Sequence, residues 1–208
     1  MHKPSTNTRF AILASGRGSN AQALMKAFER GFFPAELALV LSNKPKAGVL
    51  QIAQEYGYPA ICLPHENISR QDHEEQILTH LKQAHVDHIL LAGYMRILSP
   101  NFLLRFKSQS NGHILNIHPS LLPDFPGLHA VERQHASARP IAGATVHFVT
   151  DQVDSGPIIL QGSIELRGDE NVEELKHRIR KEVEHVIYPR ALRLFLDRIA
   201  NPTHQEVR

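Results

Sequence analysis

Short apolar runs alternate with helix-patterned segments along most of the chain, and few folds accept that rhythm. Phe10–Ala14, Leu37–Leu41, Pro59–Leu63, His88–Ala92 and the run Ile114-Leu115 with Ile117 each read as a buried strand. Between the first two, Ala23, Leu24, Ala27 and Phe28 recur at helical spacing, and Gly31 ends the element. Val49–Tyr56 reads as a second helix. Ser69 caps a third, with Asp72 placed as in a capping box and Ile77, Leu78, Leu81 and Ala84 as its buried stripe. Ser99-Pro100 opens a fourth as cap and first residue. Strand–helix alternation at short intervals predicts an α/β fold with a doubly wound, mostly parallel sheet. In such a sheet the first and fourth strands are neighbours across the switch point, where ligands bind.

The second half continues the pattern. Leu128–Ala138 is expected to be helical and Ala144–Val149 a sixth strand. Pro157–Leu166 reads as a seventh, its proline at the first residue, where a missing N–H is tolerated. Val172, Leu175, Ile179, Val183 and Val186 step by three or four, predicting a long amphipathic helix. Pro189 is expected to kink it or to start a new segment running to Leu196. No linker rich in Gly, Ser or Pro interrupts the chain. The expectation is one domain over 9–200, with 1–8 and 201–208 as loose tails.

Composition narrows the function. Hydrophobic residues make up 42% and charged residues 21%, enough to bury a core. A formal net charge of +2 is too small for nucleic acid as the main partner. The pI of about 8.8 suits a small anion. No run approaches the ~18 apolar residues of a membrane span. The single cysteine, Cys62, excludes an internal disulfide and fits a reducing cytoplasm; its apolar flanks suggest packing rather than catalysis. The 14 histidines are scattered, with no His/Cys/Asp cluster at metal-ligand spacing, so no metal is expected.

Three stretches carry candidate chemistry. In His113–Gly127, HILNIHPSLLPDFPG, Asn116 and His118 stand two apart and leave an extended strand on the same face. Pro119, Pro123, Pro126 and Gly127 stiffen the irregular loop beyond that strand. The pair either acts on a ligand or serves as a turn cap and a satisfied half-buried histidine. SGRGSN at Ser15–Asn20 joins the first strand to its helix. The stretch is either a plain tight turn or an anion site formed by its backbone N–H groups; neither a triphosphate loop nor a full dinucleotide fingerprint is present. Asp151 and Asp154, after the sixth strand, are either turn residues or carboxylates for the imidazole.

These segments, with AGYMRIL at Ala92–Leu98, HFVTDQVDSGPII at His147–Ile159 and EHVIYP at Glu184–Pro189, resemble those of the phosphoribosylglycinamide (glycinamide ribonucleotide) formyltransferase family in order and spacing. The resemblance runs from about Phe10 to Leu196. HPSLLP alone would be shared with the wider formyltransferase superfamily, including methionyl-tRNA formyltransferase. The phosphate loop, and the expectation of no second C-terminal domain, narrow it. The resemblance implies a Rossmann-like formyltransferase fold and transfer of a formyl group from the co-substrate 10-formyltetrahydrofolate to the primary amine of 5-phosphoribosylglycinamide, in purine biosynthesis. It implies Asn116, His118 and Asp154 as the catalytic trio. It implies Gly18, Ser19 and Asn20 at the substrate phosphate and Glu184 at the ribose. Arg70, Met95, Arg96, Ile97 and Leu98 would line the folate site, with Asn116 shared. Partners would be small molecules, not nucleic acid or membrane, with a monomer or weak homodimer in the cytoplasm. Arg17 departs from the small or amide residue usual in relatives, and either adds a phosphate contact or stays solvated. Gln134 and His135 stand where Ala and Leu are expected.

By residue type, Asn116 and a protonated His118 suit an oxyanion, and Asp154 is expected to raise the imidazole pKa and favour that charged form. Two other readings compete. A hydrolase of 10-formyltetrahydrofolate would use the same trio with water as acceptor, and would be expected to carry an N-terminal regulatory domain before Phe10. A non-catalytic nucleotide-binding module would explain SGRGSN and leave the trio without a purpose.

Overall fold

The computed structural model describes residues 8–137 and 139–201. The expected tails, apart from Thr8 and Asn201, lie outside the described residues, as does Ala138. Thr8 itself belongs to the first strand rather than to a tail. In chain order the elements are β1 (Thr8–Ala14), α1 (Ser19–Glu29), β2 (Ala35–Ser42), α2 (Gly48–Glu55), β3 (Ala60–Cys62), α3 (Arg70–Gln83), β4 (His88–Leu91), α4 (Pro100–Ser110) and β5 (Ile114–His118). Then come α5 (Ala130–Ala136), β6 (Ile141–Phe148), β7 (Ile158–Glu165), α6 (Val172–Arg178), a π-helical segment at Ile179–Glu184, and α7 (His185–Ala200).

The strands form a seven-stranded sheet in the order β3-β2-β1-β4-β5-β6-β7. β1 pairs in parallel with both β2 and β4, and β2 pairs in parallel with β3. β6 and β7 pair antiparallel. This is the doubly wound, mostly parallel sheet expected from the alternation, with its reversal of winding between β1 and β4. The described chain divides into two compact units, one ending at Leu115 and one beginning at Asn116. The boundary falls inside β5 rather than in a linker.

In the first unit, β1 is buried on both faces, from Phe10 to Ala14, as a central parallel strand must be. α1 lays Ala21, Leu24, Met25, Ala27 and Phe28 inward. Ser69 and Ser99 cap α3 and α4, each accepting the backbone N–H three residues on, and Pro100 sits in the first turn of α4. Cys62 is only half-buried, on a strand of three residues, and burial raises its thiol pKa.

In the second unit, α5 is shorter than the expected Leu128–Ala138, and β6 begins earlier, at Ile141. Pro157 lies just before β7 rather than in it. The closing helix departs more. It is interrupted at Ile179–Glu184, upstream of Pro189, and α7 continues through that proline. A proline interior to a helix removes a hydrogen bond and crowds the carbonyl four residues earlier, so its effect falls on the preceding turn. A π turn takes up an extra residue and shifts the phase of the stripe. Leu175, Ile179 and Val183 are buried as expected, but Ile187 then faces inward, whereas Val186 is exposed.

One buried polar contact sets a pH response. His88 in β4 accepts the His113 backbone N–H at Nδ1, 3.0 Å away, which requires that nitrogen unprotonated. Burial, and then the neighbouring His113, lower its pKa to about 4, against a smaller opposing effect of Asp87. The unfolded chain therefore takes up a proton near pH ~6.5 that the folded chain refuses until about 4. Stability is expected to fall as pH drops across that window, by on the order of 3 kcal/mol for this group. His73, His113 and His118 are shifted the same way. Urea unfolding between pH 7.5 and 4.5 measures the slope. His88→Asn keeps an acceptor without titrating and should reduce it; an unchanged slope would exonerate His88.

Candidate active site

The second unit gathers a polar cluster from β5, β6 and the loop after β6, with two buried imidazoles. Asn116 and His118 emerge two residues apart on β5, and His147 stands near the end of β6. Asp154 reaches them from the loop with φ 51, a left-handed conformation uncommon for a residue bearing a Cβ. His118 Nδ1 lies 3.1 Å from Asp154 Oδ2, and His147 Nε2 lies 3.5 Å from Oδ1. Gly127 donates its N–H to Oδ2 at 2.8 Å. The Asn116 amide is 3.3 Å from His147 Nε2. His118 is 5% exposed and His147 2%.

His118 Nε2 is 3.0 Å from the Phe125 carbonyl. Both ring nitrogens therefore face oxygens, whereas a neutral imidazole carries one N–H. The geometry welcomes a second proton while burial resists it. Burial prevails and holds the His118 pKa below its ordinary value, against the Phe125 carbonyl and the Asp154 charge. This corrects the expectation that Asp154 makes the imidazolium the standing form: its effect has the expected sign but is outweighed by desolvation. Burial also acts on Asp154, raising its pKa, but His147, the Gly127 N–H and His118 outweigh it and hold the carboxyl below its ordinary value. Asp151 stays exposed in the same loop, so of the two candidates only Asp154 joins the cluster.

Polar contacts also hold the loop after β5. Ser120 Oγ donates to the Asp124 carbonyl at 2.7 Å, and Arg133 and Arg139 stack over the Phe125 ring. Gln134 is buried. Its Nε2 donates to the Pro119 carbonyl at 2.6 Å, and its Oε1 accepts the Gly143 N–H at 2.9 Å. His135 Nε2 lies 2.7 Å from the Glu170 carbonyl. The two departures from the expected Ala and Leu are thus offset by hydrogen bonds.

The first unit holds the other candidates. Gly18 caps α1 with φ 83, and a Cβ there would come within 2.8 Å of Val49, so the position demands glycine. No side chain caps α1 and no acid occupies its first turn, where Ser19 and Asn20 lie half-buried. The first-turn N–H groups and the positive end of the helix dipole suit an anion. Arg17 is exposed. In the segment after β4, Met95 and Ile97 are 73% and 64% exposed, Arg96 is intermediate, and Leu98 is 6% exposed. Arg70 donates to the Ile97 carbonyl and, at 3.2 Å, to Glu74. Buried Glu74 in turn accepts the Ser99 N–H at 2.9 Å and the Ser99 hydroxyl. Glu184 is buried at the end of the π-helical segment of the second unit.

The family described as formyl transferase matches residues 8–192. The phosphoribosylglycinamide formyltransferase of Haemophilus influenzae is 38% identical over 190 residues, covering 91% of this chain and 87% of that protein. This chain belongs to the phosphoribosylglycinamide formyltransferase family. The crystal structure of glycinamide ribonucleotide transformylase 1 from Symbiobacterium toebii superposes with a TM-score of 0.87 at 39% identity, over 95% of this chain and 91% of that one. The trifunctional purine biosynthetic protein adenosine-3 of Drosophila melanogaster is 40% identical over 192 residues, and there the match spans only 14% of the relative's length.

Within this chain, sequence reasoning left three contributors without a role: His147, the Phe125 carbonyl and Glu74. For His147 a signal existed, since an imidazole near the end of a strand beside β5 repeats the logic applied to His118. For the other two none did. Among the described residues, no group of three or more His, Cys, Asp or Glu is placed to hold a metal ion. Among the same residues, no helix is long and apolar enough to cross a membrane.

Proposed function

We propose that this chain transfers the formyl group of 10-formyltetrahydrofolate to the primary amine of 5-phosphoribosylglycinamide, giving the N-formyl product and tetrahydrofolate in purine biosynthesis. The observation that carries the reading is the Asn116–His118–His147–Asp154 cluster, its two imidazoles buried, in a chain of this family. The amine attacks as the free base, so the tetrahedral adduct holds one proton too many on the attacking nitrogen and one too few on the departing folate nitrogen. His118, with its pKa held down by burial, rests neutral and accepts the first proton. The imidazolium so formed finds oxygens already placed at both nitrogens, and returns the proton to the leaving nitrogen. Asn116 supplies an N–H to the oxyanion. Both His118 nitrogens are engaged in this structure, so proton exchange with a bound amine runs through Asp154 or follows release of the Phe125 carbonyl.

In this reading Gly18, Ser19 and Asn20 hold the substrate phosphate and Glu184 the ribose hydroxyls. Arg70, Met95, Arg96, Ile97 and Leu98, with Asn116, receive the folate. Leu98 contributes mainly as core support, being buried. The partners are small molecules, with no part for nucleic acid or membrane, and the protein works in the cytoplasm as a monomer or weak homodimer. A spectrophotometric folate assay with and without phosphoribosylglycinamide tests the reading. Turnover is expected only with the amine present. Turnover without it would make the chain a hydrolase, and none in either case would leave a binding module.

A further inference from the structure

Ser15 is the last residue before the Gly-rich turn, and it is tied to more than that turn. Its N–H donates to the Gly93 carbonyl at 3.0 Å. Its hydroxyl accepts the Met95 N–H at 2.8 Å and donates to Asn43 Oδ1 at 2.6 Å. Asn43 follows β2 directly, and its Nδ2 and its backbone carbonyl each lie 3.2 Å from His65 Nδ1. Ser15 is 7% exposed and Asn43 1%. A hydroxyl is the group this position requires, because one atom serves as acceptor for a backbone N–H and as donor to an amide oxygen. Alanine would leave the buried Asn43 Oδ1 and the Met95 N–H without this partner. The bonds lie where β1 and β4 run side by side, at the switch of the sheet.

We propose that Ser15 is a positioning residue that couples the two ligand segments of this unit, 15–20 and 92–98, so that occupancy of one raises the affinity of the other. The inference rests on the assignment of those segments to the phosphate and the folate under the proposed function. A ligand on the turn adds to the bonds that already hold Ser15, and Ser15 in turn holds the Gly93 carbonyl and the Met95 N–H. The second ligand then binds a segment whose ordering has already been met. By linkage the effect is reciprocal.

Calorimetry with tetrahydrofolate, which has no formyl group to transfer, reads the coupling as its Kd without and with saturating phosphoribosylglycinamide. The wild-type ratio is expected to be about fivefold or more in favour of the ternary complex. Ser15→Ala should bring the ratio to within about twofold of one while each ligand still binds alone, and Ser15→Thr, which restores the hydroxyl, should recover it. If Ser15→Ala does not fold, Asn43→Leu removes the anchor and should lower the ratio in its place. A wild-type ratio of one, or a wild-type ratio retained in the folded variants, overturns the inference alone. If the wild type binds neither ligand, the proposed function fails and takes the inference with it.

Discussion

His118→Ala is expected to lower turnover by ~10²-fold or more, the size of losing an acid–base group. Because the ring is buried and engaged at both nitrogens, the same substitution also removes a partner from Asp154 and from the Phe125 carbonyl. A stability loss of roughly 1–3 kcal/mol should accompany it. The two effects separate when kcat is measured at a temperature where circular dichroism finds the variant folded. Near-normal kcat in that folded variant would return His118 to packing. Asp154→Asn keeps an acceptor for the Gly127 N–H but removes the charge that opposes desolvation of the imidazole. The NMR titration midpoint of His118 should move further down. A neutral-imidazole base is present above its pKa and lost as pH falls through it, so the acid limb of the kcat profile lies below pH ~6.5 and moves lower still in the variant. A midpoint and limb that stay put would assign Asp154 to His147 instead.

How much of this could be read from residues alone depends on the range over which each feature is decided. β1, β4 and α1 were legible because burial on both faces and helical spacing are local patterns, and the caps at Ser69 and Ser99 are decided within one turn. The C-terminal helix was not. Its stripe was legible to Val183, but the π-helical segment at Ile179–Glu184, upstream of Pro189, displaces Val186 in favour of Ile187. Spacing rules carry no term for an extra residue in a turn.

The site divides in the same way. Asn116 and His118 announce themselves by period-two spacing and by the proline after them. That Asp154 rather than Asp151 turns inward depends on a left-handed backbone and on the Gly127 N–H, far away in the chain. The charge state of His118 is a contest between burial and two oxygens, and burial cannot be weighed before the cluster is assembled. The resemblance assigns Leu98 to the folate segment along with Met95 and Ile97, yet beside those two exposed side chains it is core. Ser15 and Asn43 show the limit most clearly: each is an ordinary loop residue until β1 and β2 bring them within 2.6 Å.

Replacing Ser19 and Asn20 together by alanine is expected to raise the KM for phosphoribosylglycinamide by about ten- to over a hundredfold, since hydrogen bonds to a charged phosphate contribute roughly 1.5–3 kcal/mol. The first-turn N–H groups of α1 remain, so binding should weaken rather than vanish. Gly18 is a poor place to test the same idea, because its φ of 83 and the closeness of Val49 would confound lost binding with strain. The Kd for tetrahydrofolate, measured by calorimetry without the amine, should barely move. Coupling through Ser15 is no obstacle, because it is expressed only when both ligands are bound. Met95→Ala with Ile97→Ala should do the reverse, both side chains being exposed in the segment assigned to folate. Leu98→Ala belongs to another class: truncating a buried leucine costs ~2–5 kcal/mol of stability. Should the Ser19/Asn20 variant lose tetrahydrofolate and keep its amine KM, the two subsites are exchanged and the phosphate reading of the Gly-rich turn has to be abandoned.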